Sequence, residues 1–226
     1  MWHEPASAKQ RLAVAPIPPP QLCSNIDHDS AESVLISLAL TLEIRDPQTA
    51  GHCQRLSHYA SAMGEALHLG ETDLETLRRG GVLHDIGKVG IPDAILLKPG
   101  PLTATEFQRM KQHTTIGDTL CQGLRSLNHV RQIVRNHHER IDGTGYPDGL
   151  KGREISLLAQ IVGLVDAFDA LTTTRPYKSA QSVEAAYEEL IADARRGWRE
   201  RALVDEFIAL GRNGGLHVGA YERRHQ

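Results

Sequence analysis

Apolar side chains recur along this chain at steps of three and four, with almost no alternating runs, which predicts helices from about residue 29 to residue 210. Val34, Leu35, Leu38 and Leu42 form the first stripe, after Asp29 and Glu32 at capping-box spacing, and Asp46-Pro47 closes that helix. Thr49 can cap a second helix whose face carries His52, Leu56, Tyr59 and Met63 and which stops at Gly70. Thr72 and Glu75 read as another capping pair, opening a helix with Leu74, Leu77, Gly81 and His84 on one face until Gly87 ends it. Pro92, Pro99, Gly100 and Pro101 turn residues 89–101 into a wandering connection. Thr103 and Glu106 cap again, with Phe107, Met110 and His113 along that helix and a short helix after it over 116–124.

Residues 128–139 carry Val130, Ile133, Val134 and His137 on one side. Gly143, Gly145, Gly149, Gly152 and Pro147 make residues 140–153 a structured loop. Ser156 starts a strongly apolar helix over 157–171, and two more helices are predicted over 183–195 and 202–210. With no strand of useful length and no internal repeat, the fold class is all-α with a multi-helix core. Ala15-Pro16-Ile17-Pro18-Pro19-Pro20 marks residues 1–28 as a disordered or extended leader, a tether or the remnant of a lost upstream domain, ahead of one domain over 29–226.

Composition narrows the function. The 226 residues are long enough for one full core, and a net charge of −3 offers no global attraction for a nucleic-acid polymer or an anionic bilayer. A phosphate-bearing ligand therefore needs a local cluster of cations. Cys23, Cys53 and Cys121 are scattered without CxxC spacing, which argues against disulfides and zinc knuckles and fits a reducing cytoplasm. The chain shows neither an export signal nor a membrane-spanning run. Histidine is the unusual count, at 12.

Five of the predicted helices each bring a metal-capable residue to an inward face or a helix end: His52, His84 with Asp85, His113, His137 with His138, and Asp166. One histidine on an apolar face is ordinarily a packed core residue. Several on successive helices, together with Asp166 amid Ile161, Val162, Leu164, Val165 and Phe168, favour a shared metal site, because a carboxylate in so apolar a helix is costly without a cation. Imidazole and carboxylate donors suit iron, manganese or zinc.

His84-Asp85-Ile86-Gly87-Lys88 together with His137-His138-Glu139-Arg140-Ile141-Asp142-Gly143-Thr144-Gly145-Tyr146-Pro147 resembles the HD-GYP family, a branch of the HD-domain phosphohydrolases. The likeness runs from about Asp46 to Leu210 and includes Asp166 to Thr172 and Arg175-Pro176-Tyr177-Lys178. It implies a helical HD-domain bundle with an added GYP loop and C-terminal helices, acting as a metal-dependent phosphodiesterase on cyclic di-GMP, with linear pGpG and then GMP as products. Carried over residue by residue, His52, His84, Asp85 and Asp166 match one metal site. Asp85 again, His113, His137 and His138 match a second, making Asp85 the bridge between two divalent ions, iron or manganese with zinc as a further option.

Lys88, Arg175 and Lys178 match positions that hold substrate phosphate, so Asp85 and Lys88 are the expected catalytic pair. Gly143, Gly145, Tyr146 and Pro147 form the diagnostic loop, which the resemblance also implies as a surface for GGDEF-type cyclase domains. Asp142 and Asp169 are candidates to orient a histidine or a cation. Two departures bear on this. Gln48 stands where some members carry a glutamate that supports a third metal, and residues 195–202 lack the family's usual Thr-His-Phe-Asp-Pro-like stretch. The residues leave open another HD-type phosphohydrolase, for instance on cyclic GMP-AMP, and a catalytically weak receptor of the dinucleotide. A homodimer stays an open option.

Overall fold

The computed structural model describes residues 31–45, 51–174 and 179–216. The Pro-rich leader, the expected caps Asp29 and Thr49, Gln48, and the phosphate candidates Arg175 and Lys178 lie outside the described residues.

Ten α-helices and three 3-10 turns, with no strand among the described residues, make the chain all-α. They are α1 (Ala31–Arg45), α2 (His52–Ala66), α3 (Glu71–Leu83), α4 (Asp93–Leu96) and α5 (Ala104–Lys111). After them come α6 (His113–Gln122), α7 (Arg131–Asn136), α8 (Leu157–Thr172), α9 (Val183–Arg195) and α10 (Arg201–Arg212). The 3-10 turns span Ile86–Gly90, Arg125–Leu127 and Gly152–Glu154.

Two apolar clusters hold these helices and leave the polar site between them. The larger joins α2 and α8 to α9 and α10 through Leu56, Tyr59, Met63, Phe168, Tyr187 and Phe207. Phe168 stacks on Tyr187 at 5.5 Å and meets Phe207 edge-on at 5.0 Å, the offset and T-shaped geometries that aromatic quadrupoles favour. The smaller cluster binds α1 to Val82, Leu83, Ile86, Cys121, Val130 and Val134. Helix α8 lies at the centre of the larger cluster, which explains why its apolar run is so continuous: Ile161, Val162, Leu164 and Val165 are all buried there.

Side-chain caps set three of the helix starts, those of α5, α8 and α9. The Thr103 hydroxyl accepts the Glu106 N–H at 3.3 Å, and the Glu106 carboxylate accepts the Thr103 N–H at 2.7 Å, the reciprocal capping expected at α5. The ammonium of Lys98 and this Thr103 N–H hold the Glu106 carboxyl down at about 2. Ser156 and Ser182 cap α8 and α9 through the N–H groups of Ala159 and Ala185.

Three expectations are corrected. Thr72 and Glu75 do not cap α3, which starts two residues earlier from an extended Gly70 with no side-chain cap, while Glu75 pairs with Arg78 and Arg79. Glu71 and Asp73 in the first turn supply the favourable charge at that end instead. His113 does not continue the Thr103 helix. The chain breaks at Gln112 and His113 begins α6, three residues before the expected start at 116. The helix expected over 128–139 is shortened to α7, Arg131–Asn136, with His137 as its C-cap.

Candidate metal centre

Four of the five histidines of the site, His52, His84, His113 and His137, are fixed through Nδ1. His84 caps the C-terminus of α3, with Nδ1 3.0 Å from the Gly81 carbonyl oxygen. His113, at the start of α6, has Nδ1 2.8 Å from the Met110 carbonyl oxygen. His137 caps α7, with Nδ1 3.1 Å from the carbonyl oxygens of both Ile133 and Val134. His52, at the start of α2, has Nδ1 2.7 Å from Asp169 Oδ2. Carbonyl and carboxylate oxygens only accept, so all four rings carry their proton on Nδ1 and leave Nε2 as a lone pair.

Those four lone pairs converge on Asp85. His52 Nε2 lies 3.4 Å from His84 Nε2, and His113 Nε2 lies 3.5 Å from His137 Nε2. With both protons committed elsewhere, neither pair is a hydrogen bond; each is two acceptors facing one another. Asp85 Oδ2 is 3.2 Å from His84 Nε2, and Oδ1 is 3.2 Å from His113 Nε2 and 4.0 Å from His137 Nε2. Asp85 Oδ1 is buried without a hydrogen-bond partner. Acceptors crowded this way are unfavourable unless a cation sits among them.

Donor atoms of Asp85, His113, His137 and His138 all lie within 4.8 Å of one another, and so do those of His52, His84 and Asp85. Asp85 belongs to both groups. Asp166 stands at the edge of the second, its Oδ1 3.6 Å from His52 Nε2. The donor set therefore fits two cations sharing one carboxylate, with Asp166 one step outside the tighter cluster.

The electrostatics favour the metal-binding forms of three rings and of Asp85, whereas at His84 burial is outweighed by the Asp85 carboxylate, which raises that ring above its usual value. Burial pushes His113 down, takes His137 to about 3 with help from His84 and His113, and drives His138 well below its usual value, so these rings are neutral near pH 7. Burial opposes ionisation of Asp85, yet the Lys88 ammonium and His84 outweigh it and hold the carboxyl well below the carboxylate range. Lys88 Nζ sits 2.6 Å from Asp85 Oδ2, so here it touches the shared carboxylate directly. Cys53, next to His52, turns its thiol toward the Val82 carbonyl at 3.6 Å and takes no part in the donor set.

Of the two acids considered for orientation, Asp169 fills that place. It accepts from His52 Nδ1 and is gripped by Arg55 through Nε and Nη2, contacts that overcome its burial and hold it at about 2. Asp169→Asn keeps an acceptor for His52 but removes the charge, so cation affinity at the His52 group is expected to fall about 10–100-fold. A competitive chelator titration checks this, and unchanged affinity would contradict it. Asp142 is corrected: its carboxylate stays at the surface and accepts the N–H and hydroxyl of Thr144 at 2.8 and 2.7 Å, shaping the loop rather than the centre.

The loop itself is clamped by a residue that spacing did not single out. Glu139 accepts the N–H groups of Asp148, Gly149 and Leu150 at 2.7, 3.1 and 3.1 Å. Gly145 passes so close to the backbone of Glu139 and Arg140 that any Cβ there would collide with it. The loop is thereby folded back over the site, and Tyr146 lays its ring on His138 at 4.8 Å and 34°. Gly143 and Pro147 belong to the same segment; Lys151 side-chain carbons crowd Gly143, and the Tyr146–Pro147 peptide is cis.

An HD domain family model matches residues 37–203. The chain is 45% identical over 166 residues to the cyclic di-GMP phosphodiesterase response regulator of Xanthomonas campestris, covering 72% of this chain and 43% of that one. It is 44% identical over 159 residues to a cyclic di-GMP phosphodiesterase of Thermotoga maritima, covering 70% and 43%. The chain thus spans less than half the length of these curated relatives. The fold matches a cyclic GMP-AMP specific phosphodiesterase structure from Vibrio cholerae with a TM-score of 0.64 at 23% identity, covering 85% of this chain and 52% of that one. Among the described residues no helix is long and apolar enough to cross a membrane. The matched family model, the HDIGK and GYP segments and their meeting in one buried site lead to one conclusion: the chain belongs to the HD domain family, in its HD-GYP branch.

Proposed function

We propose that this chain hydrolyses cyclic di-GMP to linear pGpG, and pGpG onward to GMP, at a centre of two divalent ions, iron or manganese. The observation that carries this reading is the convergence of four Nδ1-anchored histidines on Asp85, with Oδ1 of that carboxylate buried and unbonded. His52, His84, Asp85 and Asp166 would hold one ion, and Asp85, His113, His137 and His138 the other. Such ions supply Lewis-acid stabilisation of charge at phosphorus and lower the pKa of water toward neutrality.

The chain's own residues contribute the rest. The Asp85 carboxylate, kept ionised, would serve both ions, and the Nδ1 contacts of His52, His84, His113 and His137 hold those four Nε2 atoms in place before substrate arrives. Lys88, already at the edge of the centre, is placed to release Asp85 and meet the phosphate. Arg175 and Lys178 complete the phosphate contacts in the same reading. The curated relatives named for cyclic di-GMP support the substrate. The Tyr146 loop is the proposed contact for a GGDEF-type partner.

The test is to incubate purified protein, loaded anaerobically with Fe(II) or with Mn(II), with cyclic di-GMP and with cyclic GMP-AMP and to identify the products. Linear pGpG from cyclic di-GMP is expected. Hydrolysis of cyclic GMP-AMP alone would move the reading to that substrate, and tight binding with full metal occupancy but no product would make the chain a receptor.

A further inference from the structure

A chain of rings leads out of the centre to the surface. His113 and His138 both touch Tyr146, at 6.4 and 4.8 Å between ring centroids, and Tyr146 in turn meets Phe107 edge-on at 6.4 Å and 80°. Phe107, on α5, leaves 46% of its surface exposed although it is a large apolar side chain. One turn along the same helix, the Lys111 ammonium lies 4.9 Å from the Phe107 centroid and 5.1 Å from that of Tyr146. Among the described residues it rests on ring faces, whereas Lys98 and Lys88 are held by carboxylates.

This lip has a use that the metal centre leaves unfilled. A cyclic dinucleotide carries two phosphodiesters and two purines, and the ions engage one phosphodiester at a time. The remaining half of the ligand must lie against whatever borders the centre. An exposed aromatic face stacks any purine, a contact worth about 1–3 kcal/mol per base. A half-buried ammonium lying on ring faces can turn to a phosphate, since a charge-assisted contact is stronger than the cation–π contact it replaces.

We propose that Phe107 and Lys111 form the outer half of the substrate site, with Phe107 stacking one purine and Lys111 meeting the phosphodiester that is not being cleaved. The assignment rests on the cyclic dinucleotide reading above. It adds two residues that neither the HDIGK nor the GYP segment contains, and it gives Tyr146 a second task, as the ring that sets the spacing between His138 and Phe107.

The experiment is calorimetric titration of the Mn(II)-loaded full chain with the hydrolysis-resistant phosphorothioate analogue of cyclic di-GMP. Phe107→Leu, apolar but ringless, and Lys111→Gln are each expected to weaken binding about tenfold, consistent with one lost stack or one lost phosphate contact. Phe107→Trp and Lys111→Arg are expected to stay within about threefold of the unaltered chain, because ring and charge are kept. Circular dichroism of each variant reports the fold, which a substitution at so exposed a ring should spare. Equal affinity in the unaltered chain, Phe107→Leu and Lys111→Gln would overturn the outer-site assignment alone and leave Phe107 as a protein-docking surface. Absence of any binding by the unaltered chain would overturn the phosphodiesterase reading and the assignment together.

Discussion

Changing Asp85 to asparagine is expected, in the proposed two-ion centre, to empty both cation sites and to lower phosphodiester hydrolysis by about a thousandfold or more, since such ions would supply several kcal/mol of charge stabilisation at phosphorus. Asparagine is nearly isosteric with aspartate, so the surrounding helices have no reason to move. What disappears is the one negative charge common to the two donor groups, His52 with His84 and His113 with His137 and His138. Replacing any single histidine removes a donor from one group and leaves the other complete. Replacing Asp85 removes one from each. Metal analysis after anaerobic purification, beside a matched His52→Ala protein, separates these cases: His52→Ala should retain about one ion per chain and Asp85→Asn close to none. Two ions retained in Asp85→Asn would rule out the bridge.

The reasons for this asymmetry are only partly readable from the residues in order. Helical spacing brings His52, His84, His137 and Asp166 to inward faces, and Asp166 in its apolar surroundings asks for a cation. The backbone carbonyls of Gly81, Met110 and Ile133, which fix three of the four tautomers, leave no mark on residue type because every residue offers a carbonyl. His113 illustrates the same limit. Its spacing from Thr103 fits one continuous helix, and only packing shows that the chain breaks at Gln112 so that this ring can enter the site from a helix start.

Glu139 was hidden for a related reason, since its partners are three main-chain N–H groups nine to eleven residues away. Asp169 and Asp142 are the same residue type and equally plausible by position. Burial beside Arg55 distinguishes the first, and a local turn with Thr144 accounts for the second. Lys88 was expected to face phosphate, and its contact with Asp85 shows that an ammonium in a preassembled anionic site first finds the nearest carboxylate.

The glycine of the HDIGK segment carries the other large effect. Gly87 does not need an unusual backbone angle; it needs the absence of a side chain. A Cβ at that position would drive into the carbonyl oxygen of His113 and stand 2.5 Å from the Gly117 N, both of them backbone atoms in the first half of α6. Backbone cannot step aside as a flexible side chain can, so Gly87→Ala must push the Ile86–Gly90 turn and α6 apart. Gly117 on the facing turn is equally tight, its own Cβ position lying 3.2 Å from the Gly87 N and 2.7 Å from Val134 Cγ1, so the crossing has no slack on either side. Overpacking of this kind costs about 3 kcal/mol or more when nothing nearby can relax. The same displacement lifts Asp85 away from His113, whose Nε2 depends on that close crossing for its 3.2 Å approach to Oδ1. Gly87→Ala is therefore expected to lower the urea midpoint of the metal-free protein and, independently, to lower the metal content of whatever folds. Gly70→Ala is the control: nothing lies within 4 Å of a Cβ there, and its effect should stay within about 0.5 kcal/mol. A Gly87→Ala protein with the unaltered midpoint and two bound ions would show that the crossing of the HDIGK turn over α6 does not set the geometry of the centre.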